Sequence, residues 1–295
     1  MKLPTLLLFF GLLASGAGAQ VKSHFKLPEA VREVSGLVIN QEGQFIWHND
    51  SGHEPKLYFT DGQGELLHIL HYPGLPATDW EDITQSPSGD LFIGNFGSNC
   101  HCRYDLAIYI LPASPDEPID SINFHYPDQM AFPPGEPWQN FNMEAMFWYR
   151  DSLHLFSKNT IEKGNDYTKH YVIPAQPGNY KAILRDSFQL KRQQVVTGAA
   201  ISPDGSSFAL LGLYAKRFLG FIPQSKATIY VFPKFDGDRF FNKKPLKKSI
   251  RPYVYALQYE AIDFYDEETL VIGSEKTIII PAKAKRIRLG KRFFR

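Results

Sequence analysis

The feature that most constrains this chain is a short phrase that recurs five times. Each copy opens with an oxygen-bearing side chain, continues with a small or polar residue and then becomes mostly apolar. Consecutive copies start 46 to 63 residues apart. Strand-built repeats of this length are typical of the blades of a β-propeller. The five opening residues are Ser35, Glu81, Glu144, Thr197 and Glu260.

Short apolar runs rich in β-branched and aromatic residues, separated by Gly, Pro, Asn and Asp, predict strands and almost no helix. Four phrases are each followed by three further strands, the last of them near residues 180–188 in the third blade and 248–254 in the fourth. The fifth phrase is followed by strands at 269–273 and 277–281, and residues 24–27 supply its outer strand. We therefore predict an all-β, single-domain, five-bladed β-propeller closed by strands from both termini, with six blades as the alternative.

The first 19 residues resemble a signal peptide, with a basic start, an apolar centre and a small-residue cleavage site. An uncleaved anchor is the alternative. The predicted organisation is a signal peptide at 1–19, a propeller at 20–285 and a basic tail at 286–295. No later segment offers about 20 apolar residues, so we expect no transmembrane span. These features predict an exported protein, periplasmic or extracellular.

The formal net charge of +1 gives no overall field that would attract a nucleic acid duplex. We expect a monomer. The two cysteines, Cys100 and Cys102, flank His101. In an exported chain they predict a local disulfide, with free thiols or a metal site as the alternatives.

In a propeller the first strand of every blade lines the central channel, so the five openers should face one another. Three of them are carboxylates and two are hydroxyls, an oxygen-only set of the kind that calcium prefers. The sequence therefore predicts a Ca²⁺ site. The alternative is that the glutamates accept hydrogen bonds from the backbone of neighbouring blades. The predicted metal ligands are Ser35, Glu81, Glu144, Thr197 and Glu260.

The loops after the second strands should surround the mouth of this channel, and each carries polar or charged residues. Loops on a rigid scaffold commonly form binding sites, so we expect a small-molecule, sugar or anionic ligand there. The candidate catalytic residues are Asp50, Lys158, Lys216 and Arg217. The candidate ligand-binding residues are Asn49, Asn95, Asn99, Asn159, Glu275 and Lys276.

Several motifs resemble those of a family of secreted bacterial β-propeller proteins without assigned function. They are Asn49-Asp50-Ser51-Gly52, Asp79-Trp80-Glu81-Asp82, Ile93-Gly94-Asn95-Phe96-Gly97, Glu144-Ala145, Ser157-Lys158-Asn159 and Tyr259-Glu260. More distantly, the openers resemble the calcium-activated apyrases, five-bladed nucleotidases with serine, glutamate, glutamate, serine and glutamate around a central calcium. Thr197 replaces the second serine and keeps its hydroxyl. The first blade loop lacks the arginine that apyrases carry. The resemblance therefore implies the five-bladed fold and the central calcium site more strongly than it implies phosphohydrolysis.

Three functions remain open. The first is a secreted calcium-binding module that holds a ligand at the channel mouth. The second is a calcium-dependent phosphohydrolase in which Asp50 orients or deprotonates water and a basic arc neutralises charge. The third is a glycoside hydrolase that uses paired carboxylates. Fold alone does not choose among these functions. The missing arginine in the first blade loop favours the binding module.

Overall fold

The chain forms five four-stranded antiparallel sheets, one of which gains a fifth, parallel strand. The structure is a computed structural model that describes residues 23–159, 166–218, 222–235, 237, 239–250, 257–290 and 293. Helix in this part of the chain is limited to the 3-10 turns Glu136–Trp138 and Phe240–Asn242. No helix among the described residues is long and apolar enough to cross a membrane. The predicted signal peptide at 1–19 lies outside the described residues.

Each phrase forms the first strand of a sheet, and the strands are numbered in chain order. The opening strand and the first two blades comprise β1 (His24–Lys26), β2 (Val34–Ile39), β3 (Phe45–Asn49), β4 (Lys56–Thr60), β5 (Leu66–His71), β6 (Trp80–Gln85), β7 (Leu91–Asn95), β8 (Ala107–Leu111) and β9 (Asp120–His125). The third blade and its neighbouring segment comprise β10 (Asn142–Tyr149), β11 (Ser152–Lys158), β12 (Tyr167–Pro174), β13 (Gly178–Lys181) and β14 (Ile183–Gln189). The last two blades comprise β15 (Val195–Ile201), β16 (Ser207–Phe218), β17 (Ile222–Pro233), β18 (Leu246–Ile250), β19 (Tyr259–Asp266), β20 (Thr269–Ser274) and β21 (Lys283–Arg288).

The first strands of successive blades contact one another around a ring, and β19 of the fifth blade closes it against β2 of the first. The fifth sheet has the order β1-β21-β20-β19, so its outer strand comes from the other end of the chain. This pairing joins Phe25 to Ala284 across the closure. The five-bladed propeller closed by strands from both ends is therefore confirmed.

Five hydrophobic clusters fill the five interfaces between adjacent blades. Successive residues of a strand point to opposite faces, so one phrase supplies two interfaces. Leu37 packs in the cluster between blades five and one, while Val38 packs between blades one and two. Met146 and Phe147 divide in the same way. The phrases become apolar without alternating because both faces of the inner strands are buried.

The end of the chain departs from prediction. Residues 277–281 form a turn in which Thr277 N–H donates to Ile280 O, and Ile278 is fully exposed. The last strand is β21 instead, so the basic tail predicted from residue 286 begins inside the sheet. The guanidinium of Arg286 lies 5.0 Å from the ring of Phe25 and 5.2 Å from that of Tyr265. Contacts between a cation and aromatic rings let this basic residue pack within the fold.

Two other strands also lie at positions that differ from those predicted. The segment predicted as one strand at 180–188 is divided, because β14 completes the third blade while β13 pairs in parallel with β9 of the second. The outer strand of the fourth blade is β18 (Leu246–Ile250), earlier than predicted. The rest of the predicted strand, from residue 251 to residue 254, lies outside the described residues.

Candidate metal and ligand site at the channel mouth

All five opening residues occupy the same irregularity, a β-bulge in the pairing of the first strand with the second. The register shifts between Val34 and Gly36, and the equivalent shift surrounds each of the other openers. A bulge leaves one residue out of the ladder and turns its side chain away from the normal alternation. The repeated phrase is therefore a repeated bulge. It places one oxygen-bearing side chain per blade near the start of the inner strand.

The two hydroxyl openers bind the backbone of the next blade. Ser35 Oγ donates to Glu81 O at 2.8 Å, and Thr197 Oγ1 donates to Tyr259 O at 2.8 Å. Both side chains are buried. Each hydroxyl hydrogen is donated to the neighbouring blade. The lone pairs of each hydroxyl oxygen remain available for a further contact.

Two of the three carboxylate openers, Glu81 and Glu144, are buried and Glu260 is partly buried, and all three lie close to the ammonium group of Lys158. Lys158 Nζ lies 2.8 Å from Glu144 Oε1, which also accepts from Asn142 Nδ2 at 2.6 Å. Burial disfavours the charged form of Lys158, but Glu144, Glu260 and Glu81 outweigh it and raise the pKa of the lysine. Lys158 is thus a cation held inside the ring of carboxylates.

Burial and mutual repulsion strongly perturb these carboxyl groups. Burial, partly offset by Lys158, raises the pKa of Glu144 to about 7. Burial and the neighbouring Glu275 raise the pKa of Glu260 to about 8. The pKa of Glu81 is also raised well above its usual value, by burial and then by Glu144. One ammonium does not neutralise the site, so protons or a further cation must share it near neutral pH.

Two groups of three carboxylates converge at this mouth, and Asp50 belongs to both. One contains Asp50, Glu260 and Glu275, and the other contains Asp50, Asp79 and Glu81, with ligand oxygens in each group within 4.8 Å of one another. Oxygens that bind one calcium ion at 2.3–2.6 Å can lie up to about 5 Å apart. Either group could therefore hold such an ion. We call Asp50, Asp79, Glu81, Glu144, Glu260, Glu275 and Lys158 the acidic mouth.

Asp79 belongs to this site but was not among the site residues predicted from the sequence. It lies two positions before Glu81, and its backbone oxygen accepts from Gly97 N–H at 3.2 Å. A Cβ at Gly97 would stand 2.1 Å from Glu81 Oε1 and 2.5 Å from Asp79 Oδ2. The loop after β7 therefore contacts both carboxylates directly. The available signal was its place in the sequence, a carboxylate two residues before the opener Glu81.

The predicted ligand-binding asparagines have mainly structural contacts. Asn49 Oδ1 accepts from Arg32 N–H at 3.0 Å, and Asn95 Oδ1 accepts from Asp79 N–H at 2.9 Å. Asn159 is buried and its Oδ1 accepts from Ser157 Oγ at 3.4 Å. Asn99 is exposed and its Oδ1 accepts from Asn142 Nδ2 at 3.2 Å. These amides hold the loops that carry the acidic residues.

The four basic residues predicted to form an arc at the mouth, Lys158, Lys216, Arg217 and Lys276, have different surroundings where the structure describes them. Lys276 pairs with Glu29 on an exposed loop, whereas Glu275 joins the acidic mouth. Lys216 and Arg217 do not form a loop, because β16 continues through them and pairs with β17 as far as Phe218. Their side chains lie outside the described part of the structure. Of the arc residues whose side chains the structure describes, Lys158 lies among the carboxylates and Lys276 pairs with Glu29 instead.

The two cysteines form a disulfide, as the sequence favoured. The bond lies in the loop after β7, where Ser98 N–H and Asn142 Oδ1 form a hydrogen bond of 2.5 Å. Arg103 supports the same loop by donating from Nη1 to Gly97 O at 2.8 Å. The same loop contains Gly97, which lies against the side chains of Asp79 and Glu81.

No protein-family model and no curated protein matches this chain. Among solved structures, it is similar to a gluconolactonase from Xanthomonas campestris, with 11% identity and a TM-score of 0.48 over 90% of this chain and 89% of the other. A glucose dehydrogenase gives 10% identity and a TM-score of 0.48 over 91% and 100% of the two chains. A luciferin-regenerating enzyme gives 11% identity and a TM-score of 0.44 over 90% and 95%. At such identities and TM-scores these likenesses support no conclusion about family or function, and the β-propeller fold rests on the five sheets and the contacts between them.

Proposed function

We propose that this protein binds a calcium ion in the acidic mouth and uses it to hold a small, oxygen-rich ligand, a sugar or an anion. The observation that carries the proposal is the pair of carboxylate groups that share Asp50. Their donors are all hard oxygens, which suit calcium. Magnesium demands near-ideal octahedral geometry and gives up its water reluctantly, so it fits a wide ring less well.

The arrangement also explains how a ligand would be oriented. A bound divalent ion keeps free coordination positions on its solvent side, and Lys158 adds a nearby positive charge. The Lys158 side chain is 27% exposed, whereas that of its partner Glu144 is 3% exposed. An anionic or polyhydroxylated molecule would thus meet the ion and the ammonium together at the end of the channel.

Calorimetric titration of the mature protein with calcium, and separately with magnesium, tests the ion. The variant Asp50→Asn should lower calcium affinity at least 100-fold, because it removes the negative charge of the carboxylate that both groups share. Glu42→Gln is the matched control, since this carboxylate is exposed in the turn between β2 and β3 at the opposite end of the blade. Wild-type calcium affinity in Asp50→Asn would overturn the site.

A second candidate function is calcium-dependent hydrolysis of a phosphoanhydride, and the position of Lys158 favours it. An ammonium beside a divalent ion is a recurring means of holding phosphate oxygens and stabilising developing charge. Phosphate release from nucleoside di- and triphosphates, measured with calcium and again with chelator, tests this activity. Release that the chelator and Asp50→Asn both remove supports an enzyme. Calcium binding without release supports the binding module alone.

A further inference from the structure

A second cavity lies at the other end of the channel, away from the acidic mouth. It has a volume of about 750 Å³ and is lined by the ends of all five first strands and by turns that lead into second strands. Clefts of about 300–1,000 Å³ commonly hold small molecules. The proposed calcium site uses the starts of the same strands, so the two regions are separated along the channel.

One carboxylate on the wall of this cavity has no cationic partner among the described residues. Asp263 Oδ2 accepts from Ile39 N–H of the first blade at 2.7 Å, and Oδ1 accepts from Phe264 N–H at 2.8 Å. Each oxygen keeps an unused lone pair. Burial raises the pKa of Asp263 to about 7.

The other charged residues on the wall do not neutralise Asp263. Asp204 accepts hydrogen bonds from Ser202 Oγ at 2.6 Å and Ser206 N–H at 3.0 Å, and it remains a second carboxylate. The guanidinium of Arg150 lies 4.9 Å from the ring centre of Tyr149, on the exposed side of the turn. The cavity therefore favours a positive charge near Asp263.

The wall also provides aromatic surface. Tyr149, Tyr265 and Trp148 all line the cavity. Arg150 and Arg286 already lie over the two tyrosine rings. No cation lies over Trp148 within the described part of the chain. Tryptophan is the aromatic side chain that attracts cations most strongly.

We propose that this cavity binds a small organic cation, a quaternary or protonated amine. Its charge would face Asp263, and its alkyl groups would pack against Trp148. The proposal is independent of the calcium site, because it needs neither the ion nor any residue of the acidic mouth. An amine is favoured over a metal ion because no group of three converging carboxylates lies on the described part of this wall, which also offers apolar and aromatic surface.

The test compares choline with its neutral isostere 3,3-dimethylbutan-1-ol, which has the same shape without the charge. Binding is measured by ligand-observed NMR titration in saturating calcium at pH 8.5, above the raised pKa of Asp263, so that its carboxylate is ionised. We expect wild type to bind choline saturably and at least tenfold more tightly than the alcohol. Asp263→Asn, which keeps one oxygen acceptor for Ile39 N–H, should bring choline down to the affinity of the alcohol. Trp148→Leu is the second variant and should weaken choline severalfold.

The variant Glu144→Gln distinguishes the two ends of the channel. It alters the acidic mouth and should leave choline binding unchanged. Loss of choline binding in Glu144→Gln would place the cation in the acidic mouth and overturn the proposal. Equal affinities for choline and the alcohol, no saturable binding, or unchanged affinity in Asp263→Asn would overturn it as well.

Discussion

Gly97 offers the sharpest test of the acidic mouth, because a single methyl group at this position meets two carboxylates. In Gly97→Ala the new Cβ would stand 2.1 Å from Glu81 Oε1 and 2.5 Å from Asp79 Oδ2. To reach van der Waals distance each oxygen must retreat by roughly 1 Å. Glu81 is buried and has little room to do so.

A shift of this size is large compared with the tolerance of a calcium site. Calcium–oxygen distances span only about 0.3 Å, and a credible site holds them within about 0.2 Å. Displacing both carboxylates should lower calcium affinity at least about 100-fold, which corresponds to about 2.8 kcal/mol. The added methyl should also lower the free energy of unfolding by about 1–3 kcal/mol, because it overpacks a filled region.

Calorimetric calcium titration measures the affinity, and thermal unfolding in chelator measures the stability separately. Gly135→Ala is the matched control, since no atom lies within 4 Å of a Cβ there and its backbone φ of −59° suits alanine. The control should behave as wild type in both assays. If Gly97→Ala folds and binds calcium within threefold of wild type, Asp79 and Glu81 are not ligands and the reasoning is wrong.

Three further outcomes follow from the same geometry. Glu144→Gln should abolish calcium binding, because it removes the negative charge of one of the three carboxylate openers; an unchanged titration would contradict this. Lys158→Met should bind calcium at least tenfold more tightly, since the ammonium competes with the ion for the same carboxylates, and an equal or weaker affinity would show that the lysine does not compete. Asp263, with a pKa raised to about 7 from 3.8, keeps its proton in the native state while the unfolded chain loses it, so its contribution to the free energy of unfolding falls as pH rises from about 4 to 7. Asp263→Asn should flatten this decline by up to about 1.4 kcal/mol per pH unit in urea titrations at several pH values, and identical slopes would refute the assignment.

The sequence specified the ring because each opener is repeated in a local context that forms a strand. A bulge and the apolar run after it depend mainly on nearby residues, so five copies of the phrase predicted five inner strands. The choice of oxygen-bearing residues at Ser35, Glu81 and their counterparts also predicted that the channel would be polar. The closing strand at Phe25 was predictable because the fifth phrase needed an outer partner.

Other assignments failed where the partner was distant in the chain. Residues 277–281 are apolar enough for a strand, but β1 and β20 both pair with β21, which leaves the earlier segment as a turn. The segment at 178–181 pairs with β9 of another blade rather than extending its own. Arg286 enters the sheet because three aromatic rings receive it, and those rings come from opposite ends of the chain.

The sequence by itself determined the number of blades, the strand that closes the ring and the acidity of the inner strands, because these follow from local periodicity and residue type. Only the tertiary structure decided that Lys158 lies inside the ring, that Lys276 pairs outward with Glu29, and that Asp50 and Asp79 join the glutamates. The physical reason is that charges interact through space. The direction of each side chain depends on loops and neighbouring blades that the local pattern does not encode.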